Sequence, residues 1–374
     1  MDAEVTIIGA GVIGLAVSAT LSGCKGPVFV IDRNRSFGQE TSSRNSEVIH
    51  SGIYYPIRSL KGKLCLEGKK KIYNYCNKND IPYRKCGKLI VASKTGDTQK
   101  LFEILKRSQR NGVTDGRIIE KDEIAEIEPY VKATIALYFP TSGIIDSHNL
   151  MKQLEADSVI GGSQIVYGAE VVGIKKIKDG YYINLIDADK QKFDFSTKMI
   201  INAAGLEAGK IAGYLGVNDP DYRVYYWKGE YFGVGNGKNK YVNSLIYPVP
   251  EPNTVGLGIH TTVDLGGGLK LGPNAIWLSD DKPDLKVDPS HSVHFYESVR
   301  NILPFIELDD LTPDQAGIRP KLQKPGDPVR DFIINEETNR NLPGFVNLLG
   351  IESPGLTACL AIADYVKSLL NLDE

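Results

Sequence analysis

Close to its start the chain carries "GAGVIG", which sets Gly9, Gly11 and Gly14 in G-x-G-x-x-G spacing between a β-branched run, "VTII", and an alanine-rich segment, "LAVSAT". No other feature limits the possible folds as strongly. The first glycine permits a tight turn, the second lets backbone approach a pyrophosphate, and the third lets helix and strand pack closely. A helix starting there meets an anion with free N–H groups and the positive end of its dipole. "PVFVIDRN" supplies the next strand, and Asp32 ends it where an acid can bond the adenosine ribose hydroxyls. A glycine turn alone also occurs in purely structural α/β domains. Strand, turn, helix, strand and acid in this order predict a dinucleotide site in a βαβ unit, hence a parallel sheet covered by helices.

Two later stretches repeat the strand, small-residue turn and helix pattern: "KMIINAAGLEAGKIAGYLG" and "GFVNLLGIESPGLTACLAIADYVKSLL". After Pro56, and before the first of them, the pattern is mixed. Helices are expected in "SLKGKLCLEGKKKIYNYC" and "TQKLFEILKRSQRNGV", with a strand in "CGKLIVAS"; the run "EGKKKIYNY" reads as one solvated helix face. Asp179 and Gly180 suit a hairpin turn. From about residue 222 to 330 the pieces "WKGEYFGVG", "SLIYPVP" and "TVGLGIHTTV" suggest an antiparallel sheet. The expected fold is α/β: a Rossmann-like nucleotide domain assembled from residues 1–85, 145–220 and 330–374, with an inserted α+β substrate domain built from residues 86–144 and 221–329. A chain of 374 residues, 42% of them hydrophobic, can bury two cores of that kind.

The balance of 44 basic against 46 acidic side chains gives no global field for nucleic acid or an anionic membrane, so a charged partner must be recognised locally. The tyrosine-rich "YRVYYWKGEYF" therefore reads as sheet packing rather than a nucleic-acid surface. Five widely spaced cysteines without a C-x-x-C pair suggest neither a disulfide framework nor a metal site. No apolar run reaches the length of a membrane span, and a strand beginning almost at Met1 leaves little room for a targeting segment. The expected location is a reducing cytoplasm, with peripheral contact at the inner face of a membrane left open.

The same glycine fingerprint serves nicotinamide and flavin cofactors. After the second strand this chain delivers "TSSRNSEVIHSGIYYP", whose serines, Arg44, Asn45 and His50 are suited to line a long extended cofactor, which favours FAD. Together with "FPTSGIIDSHNL", "INAAGLEA", "KGEYF", "LGPNA", "AGIRPKL" and "GIESPGLT", these residues resemble the FAD-dependent oxidoreductases of the D-amino-acid-oxidase-like superfamily, which share a glutathione-reductase-like nucleotide domain. Within it, the serine-arginine-asparagine-serine run, "LGPNA" and "GIESPGLT" are most similar to the L-2-hydroxyglutarate dehydrogenase or oxidase family. Members oxidise L-2-hydroxyglutarate to 2-oxoglutarate with FAD, passing electrons to a respiratory quinone or to oxygen. The related glycerol-3-phosphate dehydrogenases commonly carry an arginine where this chain has Tyr54, a departure that weakens a phosphate-ester reading.

The resemblance implies that Gly9, Gly11, Gly14 and Asp32 hold the ADP half of FAD, with Ala203, Ala204 and Gly205 close by. Thr41, Ser42, Arg44, Asn45 and Ser46 would line the pyrophosphate and flavin approach. Gly350, Ile351, Gly355, Leu356 and Thr357 would sit near the flavin pyrimidine end, and Arg319 would bind the substrate carboxylate. Oxidising a 2-hydroxy acid also needs a proton acceptor, and neutral histidine serves near pH 7. Of the five histidines, His260 and His50 lie in suitable settings, His260 as base or carboxylate ligand and His50 as a flavin contact or covalent attachment point. His291 and His294 are expected to face solvent. A dicarboxylate needs a second anchor, for which Lys228, Lys321, Tyr54 and Tyr247 are weaker candidates beside Arg319. An amino-acid or amine oxidase, and a noncatalytic dinucleotide-binding scaffold or redox sensor, are the competing readings.

Overall fold

The computed structural model describes residues 1–23, 25–250 and 258–372. The strand Ala3–Ile8 is buried on both faces, the environment its valine and isoleucine run requires. It pairs in parallel with Val28–Asp32 on one side and Lys192–Asn202 on the other, and the helix Val12–Thr20 forms the crossover between the first two strands. Gln164–Tyr167 extends the sheet beyond Val28–Asp32, Leu342–Leu349 runs parallel to the end of Lys192–Asn202, and Ile333–Glu337 folds back on Leu342–Leu349. The remaining two of the eight strands, Ala169–Ile177 and Gly180–Asp187, form the expected hairpin, which pairs with the first half of Lys192–Asn202.

Helices Val12–Thr20, Ser147–Ile160 and Gly355–Leu369 pack together, and Leu60–Lys78 lies against the last of them. The two helices meet without a side chain between them at Gly68, where a Cβ would stand 2.3 Å from the carbonyl oxygen of Thr357. The run "EGKKKIYNY" is accordingly not one solvated face. Lys70 and Lys71 are exposed, but Gly68, Lys69 and Ile72 are buried, and the Lys69 ammonium donates to Thr141 Oγ1 at 2.7 Å. Its packing against Gly355–Leu369 turns that side of the helix inward. Ser59 caps this helix at Gly62 N–H, while Asp331 accepts from the amides of Leu60 at 2.6 Å and Lys61 at 2.9 Å.

The second layer is built on the strand Tyr225–Val234, antiparallel to Leu311–Lys321, Leu269–Gly272 and Ile276–Leu278, with His260–Val263 beyond Leu269–Gly272. A smaller sheet joins Lys88–Val91, Ile135–Phe139, Arg117–Glu120 and Leu245–Pro248. Here the expectation of an antiparallel sheet meets one exception: Leu245–Pro248 runs parallel to Lys88–Val91, because a long excursion rather than a hairpin brings it there. One apolar core, including Leu89, Leu137, Phe232, Ile246 and Phe295, joins the two sheets.

Candidate active site

A cavity of about 860 Å³ runs from the glycine turn, between the two layers, to the strand Leu311–Lys321. At its first end the turn follows from the sequence. Gly9 takes φ +108°, and a Cβ on it would meet Ala203 O at 2.5 Å; a Cβ on Gly14 would stand 1.8 Å from Gly9 O. The helix Val12–Thr20 starts at Gly11 with no side chain of its own capping it. Ser42 reaches across to accept from Val12 N–H at 3.0 Å. Asp32 lines the cavity, its carboxylate held by Ala10 N–H at 2.7 Å and Asn34 N–H at 2.8 Å; burial raises its pKa against those bonds. Ala203, Ala204 and Gly205 form the facing wall. Residues 169–171 complete this end, a contribution the sequence did not signal because it comes from the opening of the hairpin.

Thr41, Ser42, Arg44, Asn45 and Ser46 all border the cavity, but several of their side chains hold the segment itself. Thr41 donates to Ile318 O at 3.1 Å, Asn45 donates to Ser42 O at 2.6 Å and accepts from Glu47 N–H, and Gln315 donates to Asn45 O. A Cβ on Gly317 would lie 2.2 Å from Arg44 O, so the segment crosses the strand Leu311–Lys321 in direct backbone contact.

The carboxyl-terminal turn supplies Ile351, Gly355 and Leu356 to the wall. Gly350 and Thr357, also expected there, stand behind it. Gly350 takes φ +68° at the turn, and Thr357, fully buried, accepts from His50 N–H at 3.0 Å and donates to Val48 O. The turn also carries a buried charge cluster not foreseen from the sequence: Glu352 accepts from Lys61 at 2.9 Å and from Lys321 at 2.6 Å. Burial opposes ionisation of Glu352, but the two ammoniums win and hold its pKa down at about 2. Two lysines share one carboxylate, so the cluster is net cationic. Burial, with Arg319 nearby, keeps Lys321 below its ordinary value although Glu352 pulls the other way.

At the far end Arg319 projects from the inserted sheet. One guanidinium nitrogen donates to the carbonyls of Asn274 and Lys228, and Gly229 makes room for it, since a Cβ there would meet that nitrogen at 2.5 Å. His50 and His260 line the same end. His50 Nε2 is 3.1 Å from Ser353 Oγ, and burial lowers its pKa to about 3. His260 opens the strand His260–Val263, is also held far below its ordinary value by burial, and has a buried Nδ1 with no partner among the described residues. Tyr54 and Lys321 border the cavity as expected.

Lys228 and Tyr247 do not border it. Lys228 turns away to Glu230 at 3.1 Å and Asp284 at 2.8 Å, and Tyr247 lies behind His260, ring centroids 3.8 Å apart. His291 is also not simply solvated, because its Nδ1 bonds the fully buried Glu230 at 2.6 Å; His294 is exposed. Of "TVGLGIHTTV", residues 254–257 lie outside the described residues.

A helix terminus capped only by Ser42, an acid at the end of the second strand and a cavity of cofactor size fit an extended dinucleotide. Residues 4–369 match the family described as FAD dependent oxidoreductase, and the chain belongs to that family. It is an FAD-dependent oxidoreductase with the D-amino-acid-oxidase-like fold. Within the family it is 37% identical to the mitochondrial L-2-hydroxyglutarate dehydrogenase of Arabidopsis thaliana, over 98% of this chain and 83% of that protein. The L-2-hydroxyglutarate dehydrogenase of Indibacter alkaliphilus is 29% identical over 98% of both chains. Among solved structures, the L-alpha-glycerophosphate oxidase of Mycoplasma pneumoniae, with FAD bound, superposes with a TM-score of 0.87 at 30% identity, covering 99% of this chain and 94% of that one. A glycine oxidase from Bacillus cereus, at 20% identity and a TM-score of 0.79, shares the fold over 99% of this chain and 97% of its own. Among the described residues no helix is long and apolar enough to cross a membrane.

Proposed function

We propose that this enzyme oxidises L-2-hydroxyglutarate to 2-oxoglutarate. The observation that carries the reading is one cavity lined by Arg319, His50 and His260, with both imidazoles kept neutral by burial, in a chain 37% identical to an L-2-hydroxyglutarate dehydrogenase. Bound along the glycine turn and the 41–46 segment, FAD would supply the acceptor for the hydride that leaves the α-carbon. Arg319 grips the carboxylate beside that carbon through its planar fork, fixing which hydrogen faces the cofactor. The hydroxyl proton passes to an imidazole nitrogen, for which His260 Nδ1 and His50 Nε2 are the available acceptors. The net positive cluster of Lys61, Glu352 and Lys321 favours added negative charge on whatever lies against it. Electrons then pass to a second acceptor, a quinone or oxygen.

A glycerol phosphate substrate is the second reading, favoured by the 30% identity to the glycerophosphate oxidase. Against it stands Tyr54, where the glycerol-3-phosphate dehydrogenases commonly place an arginine. Steady-state assays with a dye acceptor separate the two: 2-oxoglutarate formed from the L enantiomer and little turnover of glycerol 3-phosphate support the proposal. The reverse order of specificity defeats it. Oxygen uptake compared with reduction of a quinone analogue then identifies the acceptor.

A further inference from the structure

Lys88 heads the buried strand Lys88–Val91 and is 1% exposed. Among the described residues its ammonium has neither a carboxylate nor a hydrogen-bond partner. It lies 3.9 Å from the centre of the Tyr247 ring and 5.9 Å from that of Tyr54. Tyr247 in turn packs edge-on against His260. Around this lysine three further polar atoms are buried and unbonded: Tyr54 Oη, Tyr247 Oη and His260 Nδ1. Buried polar atoms are nearly always paired, so three unpaired ones beside an ammonium that has no carboxylate point to a ligand. Tyr54 and His260 line the cavity, and Lys88 and Tyr247 stand against them just outside that lining.

The charges there identify the ligand class. Lys61 and Lys321 share the single carboxylate of Glu352, and Lys228 is met by Glu230 and Asp284. Arg319 and Lys88 are left without a carboxylate among the described residues. A substrate with two carboxylates supplies one to each. Burial lowers the Lys88 pKa to about 7, and an anion beside it would hold the ammonium charged.

We propose that Tyr54 forms the wall against which the substrate's second carboxylate sits, with Lys88 and Tyr247 directly behind it, and that Lys88 is the cation that selects dicarboxylates. This rests on the reading of the substrate as a hydroxy dicarboxylate. The test is titration of the flavin-loaded enzyme with glutarate and with pentanoate, which has the same chain length but one carboxylate, followed by the perturbation of the flavin spectrum. Wild-type enzyme is expected to bind glutarate on the order of 10- to 100-fold more tightly. In Lys88→Met that ratio falls toward one, and in Lys88→Arg much of it returns. Should Lys88→Met fail to hold flavin, Tyr54→Phe, which removes a single unpaired hydroxyl, must still weaken glutarate more than pentanoate. Equal binding of the two ligands by wild-type enzyme, or a preference untouched by the substitutions, overturns the proposal. A Lys88-dependent preference for glutarate without oxidation of L-2-hydroxyglutarate upholds this seat and removes the proposed substrate. Oxidation of L-2-hydroxyglutarate with the preference intact in Lys88→Met does the opposite.

Discussion

Replacing Glu352 by glutamine isolates the charge cluster under the carboxyl-terminal turn. The carboxylate is 8% exposed and bonds Lys61 at 2.9 Å and Lys321 at 2.6 Å. Glutamine keeps the shape but can accept from only one ammonium while presenting its own N–H groups to the other, so a buried positive charge is left uncompensated. The magnitude follows from the pKa, which lies near 2 in the folded protein against an ordinary 4.5. At ~1.4 kcal/mol per pH unit this corresponds to ~3 kcal/mol at neutral pH. Because the folded pKa is depressed, the contribution is complete above pH 4.5 and disappears as pH falls toward 2. It should shrink to ~2 kcal/mol at about pH 3.5. Urea unfolding of flavin-stripped wild type and Glu352→Gln, followed by circular dichroism at both pH values, measures the difference without a contribution from cofactor affinity. A variant within about 0.5 kcal/mol of wild type at neutral pH, the usual scatter of surface changes, would refute the reasoning. So would a large difference that does not depend on pH.

Arg319→Ala should raise KM for the hydroxy acid on the order of 100-fold with a smaller change in kcat, since a buried anion loses its bidentate partner; an unchanged KM places the carboxylate elsewhere. His50→Gln and His260→Gln should both lower kcat, and the one that loses roughly 100-fold or more marks the proton acceptor. Unchanged turnover in both means that the base lies outside this pair. With His50 near pKa 3 and His260 far below its ordinary value, both rings are neutral through the physiological range, so kcat/KM should not fall as pH is lowered to about 5. A fall on the acid side with a midpoint near pH 6.5 contradicts the burial of the two rings. Gly14→Ala would put a methyl group 1.8 Å from Gly9 O, and the forced shift of the turn should cost roughly 1 to 3 kcal/mol and release FAD, read as loss of yellow colour on gel filtration.

The parts of the site made by backbone were legible in the sequence. Gly9, Gly11 and Gly14, the "INAAG" turn and the glycines of "GIESPG" answer to requirements of chain path, and such requirements leave a spaced residue signature. The parts made by long-range pairing were not. Glu352 meets Lys61 across 291 positions, and nothing local to either residue announces the other. Lys88 opens an apolar strand, so its composition reads as sheet core, and only the tertiary structure shows that no acid among the described residues accompanies it. Lys228 illustrates the converse. Its strand was legible, but side chains two apart share a face, and that alternation brings Lys228 to Glu230 rather than to the cavity. The lysine in "EGKKKIYNY" that turned inward did so because Gly68 admits the helix Gly355–Leu369, a contact set by a residue remote in the sequence.

The central claim is that this flavin site accepts hydride from L-2-hydroxyglutarate. Anaerobic mixing of the flavin-loaded enzyme with that compound, in parallel with its D enantiomer, L-glycerol 3-phosphate and glycine, tests it directly. The L enantiomer alone should rapidly bleach the flavin, with 2-oxoglutarate formed in equal amount. Bleaching by L-glycerol 3-phosphate or glycine, with the flavin left oxidised by L-2-hydroxyglutarate, would contradict it.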